Sequence, residues 1–417
     1  TSRTVSELWF IAVSSVMVSS PTLIGKTNIV QIQNITVNVR VLFGALGLNP
    51  SRHVFKRGTL LLIAMQDAWW RRPSTLPLMI LIFAILIISF GGAIRIHDAG
   101  ESCPDWPKCF DTYGFAISVD EQTAYWEANP DEIDSRGADH RYTVFEIFLE
   151  WFHRLLVAII AVPVLFNVYV SRRLIPKYGK RNYYTSIAIA TLLFIQAFVG
   201  AVTVFYDNVD WSVAMHLTLA SLFTASILWQ YKLTRIAEGA KWTFREVSNK
   251  FIAKYKTKFD NIALSVLILL ILGAWVSSTA GGQYNQSCSV GFPEAWPQCN
   301  GQFLPSLENP GTLVQMIHRV GALLVGLIII LSCLNLKEDK VNYDNSKVYY
   351  RMMLFTAALW FTNLSIGATY LITATAGKFP EWISLLHLLG GVSTFLVAAS
   401  GPMMFRLTQN SVAGTDG

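Results

Sequence analysis

Seven histidines occur in this chain of 417 residues, and four of them, His153, His216, His318 and His387, fall inside long apolar stretches. An ionisable side chain there is costly unless it faces a bundle interior and does work. The four come in matched settings. EWFHRLLVAI around His153 resembles QMIHRVGALL around His318, and His216 and His387 each stand early in a later apolar stretch. Two imidazoles from two helices of a bundle suit the two axial positions of a haem iron. Zinc would want a third or fourth nitrogen, sulfur or carboxylate ligand, and the acid nearest to the second pair is Glu381, more than a turn from His387. Haem is therefore the expected cofactor class. Arg154 and Arg319, each directly after its histidine, are candidate partners for haem propionates, the alternative being cations that snorkel to the interface.

The two settings differ in one respect. Glu146, Glu150 and His153 share a helical face, whereas the matched positions before His318 are Gly311 and Gln315. A carboxylate beside one imidazole pair only points to proton-coupled chemistry at the first site and electron carriage at the second. The plainer alternative makes both acids interfacial residues at a helix start. Of five cysteines, Cys103 and Cys109 stand in one polar loop, Cys288 and Cys299 in the matching later loop, and Cys333 in an apolar stretch. In an oxidising compartment such pairs are structural disulfides; the sharper alternative is thiol–disulfide exchange at Cys103 and Cys109 during turnover.

The elements that must position these groups follow from composition. Hydrophobic residues make up 53% and charged residues 14% of the chain, against roughly 25% charged in soluble domains. Eight apolar spans are read near 76–94, 144–170, 185–206, 212–231, 261–280, 313–334, 352–374 and 381–405, each long enough to cross a bilayer. The expected fold is an all-α polytopic membrane protein in which two four-helix bundles, copies of one unit, share one orientation. Lys and Arg concentrate in 171–184, 232–260 and 337–351, while acids dominate 97–143 and no Lys or Arg occurs in 281–312. Both ends of the eight-span unit are thus expected on the cytoplasmic side. The net charge of +6 is a topology signal, and no nucleic-acid partner is expected. Residues 70–234 form the first bundle with outer loop 97–143, residues 235–260 a basic linker, and 261–405 the second bundle with outer loop 281–312; 406–417 is a tail. Residues 1–69 are read as an extension of unknown role, transit-peptide-like in its scarcity of acids. A start at Met65 or an extra segment over 8–23 are alternatives.

Over residues 70–405 the chain resembles the heme A synthase family: GGAIRIHDAGESCPDWPKC after the first span, EWFHR in the second, His216 in the fourth, then IHR and His387. The resemblance implies an oxidoreductase that converts the C8 methyl of haem O to the formyl group of haem A for terminal oxidase assembly. It further implies that His153 and His216 bracket the substrate haem O with Glu150 as the essential carboxylate, and that His318 and His387 ligate a permanent haem b. The implied partners are haem O synthase and oxidase assembly factors in a prokaryotic plasma membrane, or alternatively a mitochondrial inner membrane, with a homo-oligomer as a further expectation. The rival reading from another class is a bis-His diheme electron-transfer cytochrome that modifies nothing.

Overall fold

The computed structural model describes residues 72–97, 99–277, 287–340, 342–375 and 379–408. The extension 1–69, the end of the tail and the opening of the outer loop 281–312 lie outside them. Among the described residues nine α-helices follow in order: α1 (Thr75–Ile96), α2 (Val119–Ala128), α3 (Val144–Arg173), α4 (Ile175–Phe205), α5 (Asp210–Ala237), α6 (Asn249–Ser277), α7 (Pro310–Asp339), α8 (Lys347–Thr373) and α9 (Glu381–Arg406). All except α2 are long and apolar enough to cross a membrane, which gives eight candidate spans and a multi-pass membrane protein.

The ends of these helices are written in the sequence. Thr143 and Glu146 close a capping box at the start of α3, with the Thr143 backbone N–H donating to Glu146 at 2.7 Å. Arg172 and Arg173 occupy the last turn of α3, where cations suit the carbonyl end. Asn309 accepts from the backbone N–H groups of Gly311 and Thr312 ahead of α7, and Pro310 fills its first position. Gly179, at φ 77°, makes the turn before the long part of α4.

The spans pack as two rings of four. In one ring α1 touches α3 and α5, and α4 joins α3 to α5; in the other α6 touches α7 and α9, and α8 joins α7 to α9. The rings meet through α5 against α6 and α9, and α1 against α9. Ile80, Ala84, Ile160, Val164, Ile189, Leu193 and Ile227 fill the first ring. Outward faces are apolar too, with Phe198 69% and Leu323 66% exposed, as a surface facing hydrocarbon requires. Helix α6 begins at Asn249, well inside the stretch 235–260 expected as a linker, because Phe251, Tyr255 and Phe259 recur at helical spacing, Phe251 and Phe259 packing on Tyr349 and Phe405 and Tyr255 on Phe251. Inside the first ring Asn167 donates to Gln230 at 2.7 Å, and Gln230 donates to Ser171 at 3.0 Å, so three polar side chains satisfy one another away from water.

Candidate functional site

Each of the four span histidines lies against a glycine on the neighbouring helix. A Cβ placed on Gly91 of α1 would stand 3.3 Å from His153 Cε1, and one on Gly200 of α4 would stand 3.0 Å from His216 Cε1. In the other ring the distances are 3.1 Å for Gly273 of α6 with His318 and 2.7 Å for Gly367 of α8 with His387. Every imidazole therefore presents its Cε1 edge to a notch that any larger residue would fill. One cavity of about 1070 Å³ reaches all four histidines.

The second pair shows the spacing directly. The His318 and His387 ring centroids are 6.5 Å apart with the ring planes at 86°. Two metal–imidazole bonds of about 2.0–2.1 Å, with about 1 Å from each nitrogen to its ring centre, give roughly 6–6.5 Å for an iron held between two imidazoles. His387 Nδ1 lies 3.0 Å from the Asn363 backbone carbonyl. A carbonyl only accepts, so Nδ1 carries the proton and Nε2 keeps its lone pair for a metal. Among the described residues no three His, Cys, Asp or Glu gather as a metal site, so the imidazole pairs stand as two-ligand sets. The donors, their notches and the cavity fit a bis-imidazole haem in each ring.

His216 is held in a matching way. The Gln196 side-chain nitrogen lies 3.1 Å from His216 Nδ1 and donates to the His216 carbonyl at 3.0 Å, while Gln196 Oε1 is buried with no partner. In the second ring the Asn363 amide nitrogen takes the same place, 3.2 Å from His387 Nδ1 and donating to the His387 carbonyl at 2.8 Å. His153 Nδ1 is buried without a hydrogen-bond partner.

Glu150 is buried, 5% exposed, and lines the cavity. Its carboxylate accepts from Arg154 at 2.6 Å, from the Cys103 backbone N–H at 2.9 Å and from Ser102 Oγ at 3.1 Å. Arg154 also donates to the carbonyls of Cys103, Asp105 and Lys108. In the second ring Arg319 donates to Gln315 Oε1 at 2.9 Å and to the Ala295 and Gln298 carbonyls at 2.8 and 2.9 Å. Both arginines, candidate propionate partners by sequence, tie an outer loop to the helix below it. Both loops are closed by disulfides, Cys103–Cys109 and Cys288–Cys299, and Cys333 is free and partly buried. Glu146 caps α3 and does not line the cavity.

The sequence pattern of the COX15-CtaA family, described as cytochrome oxidase assembly protein, matches residues 74–399. The chain belongs to this family. Similar to it are the heme A synthases of Shouchella clausii, 25% identical over 73% of this chain and 90% of the relative, and of Pelagibacter ubique, 26% identical over 74% and 89%. That of Sinorhizobium medicae is 27% identical over 69% and 80%. In this member of the COX15-CtaA family sequence reasoning found the histidines and Glu150 but missed Gln196, Asn363, Gly91 and Gly273. A signal was present, since Gln196 and Asn363 each precede, by one turn, the glycine that faces a histidine.

At the acidic mouth, Glu101 lines the same cavity and accepts from Ser135 at 2.9 Å and Asn208 at 3.4 Å. Burial, with some repulsion from Asp134, holds its carboxyl above the ordinary range. Asp207, also on the lining, is raised by burial and by Asp134.

Proposed function

We propose that this chain is a heme A synthase, an oxidoreductase that takes the C8 methyl of haem O to the formyl group of haem A. His153 and His216 hold the substrate haem O in the first ring, and His318 and His387 hold a resident haem b in the second. The two rings are copies of one unit in the same orientation, with the histidines in the outer half of a prokaryotic plasma membrane. The observation that carries the division of labour is Glu150: a buried carboxylate lines the cavity one turn from His153, and its counterpart beside His318 is the uncharged Gln315.

When bound, haem b supplies one-electron transfer. The chain's own residues do the rest. Oxidation of a methyl carbon to a formyl carbon removes electrons, which an external acceptor must take, and releases protons; of the lining carboxylates Glu150 is the one a turn from His153, placed to take up a proton. Arg154, Ser102 and the Cys103 N–H fix its orientation, and through Cys103 they link it to the disulfide-closed loop.

The test is Glu150→Gln, because Gln315 already shows that an amide keeps the arginine anchor of the matching loop. Expressed with haem O available, the variant is expected to retain its haems while haem A formation falls by about 100-fold or more. Unchanged haem A formation would remove Glu150 from the chemistry.

A further inference from the structure

At the basic end of the molecule a groove of about 1040 Å³ runs between the rings, walled by α4 and α5 on one side and α6 and α9 on the other. Its floor is apolar, with Ala188, Leu222, Leu264, Leu267 and Phe395 among its lining. Its rim is charged. Arg181 lies 4.7 Å over the Trp229 ring, and its guanidinium donates no hydrogen bond among the described residues. Arg406 lines the same groove, close enough to Arg181 to repel it, and pairs with Asp260 at 2.9 Å. Among the described residues the rim of the groove holds two arginines and one acid, and the fork of five N–H donors of Arg181 meets no acceptor there.

We propose that this groove binds one acidic phospholipid, its phosphodiester between Arg181 and Arg406 and an acyl chain along the apolar floor. A guanidinium stacked on an indole is pre-oriented for a phosphate, which accepts in the fork geometry that a carbonyl or water does not match as well. The distribution of Lys and Arg sets this end on the side where acidic lipids concentrate, and basic pockets between spanning helices there are the known form of such sites. The proposal is independent of the haem reading, since none of its residues lines the histidine cavity.

Native mass spectrometry of the full chain in neutral detergent tests it, with phosphatidylglycerol and phosphatidylcholine of identical chains offered at equal concentration. One phosphatidylglycerol is expected to be retained in preference to phosphatidylcholine, and Arg181→Gln is expected to cut that retention about 5-fold. Ala188→Trp, which fills the floor and leaves the charges, is expected to lower it as well. Equal retention of the two lipids, or phosphatidylglycerol retention unchanged in both variants, would overturn the proposal. Displacement of the lipid by equimolar inorganic phosphate would overturn it in favour of a free anion site. A dimer that Ala188→Trp disperses while lipid retention stays unchanged would overturn it in favour of a protein interface.

Discussion

At the scale of single residues, the distance between a histidine and its facing glycine orders a set of variants. Gly367→Ala places a methyl group 2.7 Å from His387 Cε1, whereas Gly91→Ala places one 3.3 Å from His153 Cε1. The first must displace the imidazole; the second needs only a few tenths of an ångström of adjustment. Haem titration of the purified variants is expected to show a loss of affinity of roughly 10–100-fold for Gly367→Ala and a smaller one for Gly91→Ala. The reverse order would mean that the notches do not set the imidazoles. The four histidines were legible because charge-capable residues are scarce in apolar runs, and Glu150 because its helical spacing from His153 is short. The supports were not. Gln196, Asn363 and the glycines act across helix pairs, and a contact between helices leaves no local pattern. Glu146 is the converse case: it shares the helical face of His153, yet the structure uses it with Thr143 as a capping box.

At the scale of elements, the eight spans were readable from length and hydropathy, and their bounds shift only where polar or aromatic residues extend a helix past its apolar run. Helix α6 is the clearest case: its first turns are basic on one side and carry Phe251, Tyr255 and Phe259 on the other, and composition alone reads such a mixture as linker. The contact between Asn167, Ser171 and Gln230 was equally hidden, since each looks like an isolated polar residue in a span. Gln230→Leu strands Asn167 and Ser171 in an apolar interior and is expected to cost about 0.6–2 kcal/mol, seen as a lower midpoint in detergent unfolding; no change would mean that these amides find other partners. In the outer loop, Glu101 has its carboxyl raised by burial, so the folded form binds its proton more tightly than the unfolded chain does. Stability from this group is therefore fuller at low pH and declines as pH rises from the ordinary carboxyl range through the raised folded value. Glu101→Gln, which keeps an acceptor for Ser135, is expected to flatten that decline and raise the thermal midpoint at neutral pH; a steeper decline would contradict the assignment.

At the scale of the whole molecule, the two rings present the same arrangement of helix, imidazole, glycine and side-chain amide, and they differ one turn before the first histidine of each, Glu150 against Gln315. One cavity joins both imidazole pairs, so under the proposed division of labour the product-forming and electron-carrying sites would share it. The repeated motifs led to an expectation of two four-span units; how the two rings meet was not legible, because α1, α5, α6 and α9 meet through apolar side chains that look like any lipid-facing residue. The most direct test of two rings with two roles is to extract and identify the haems of the wild-type protein and of His153→Ala and His318→Ala, each expressed where haem O is made. The account predicts haem b with haem O and haem A in the wild type, haem b without haem A in His153→Ala, and loss of haem b in His318→Ala. Two equivalents of haem b in the wild type, indifferent to haem O, would contradict it and leave a diheme electron carrier.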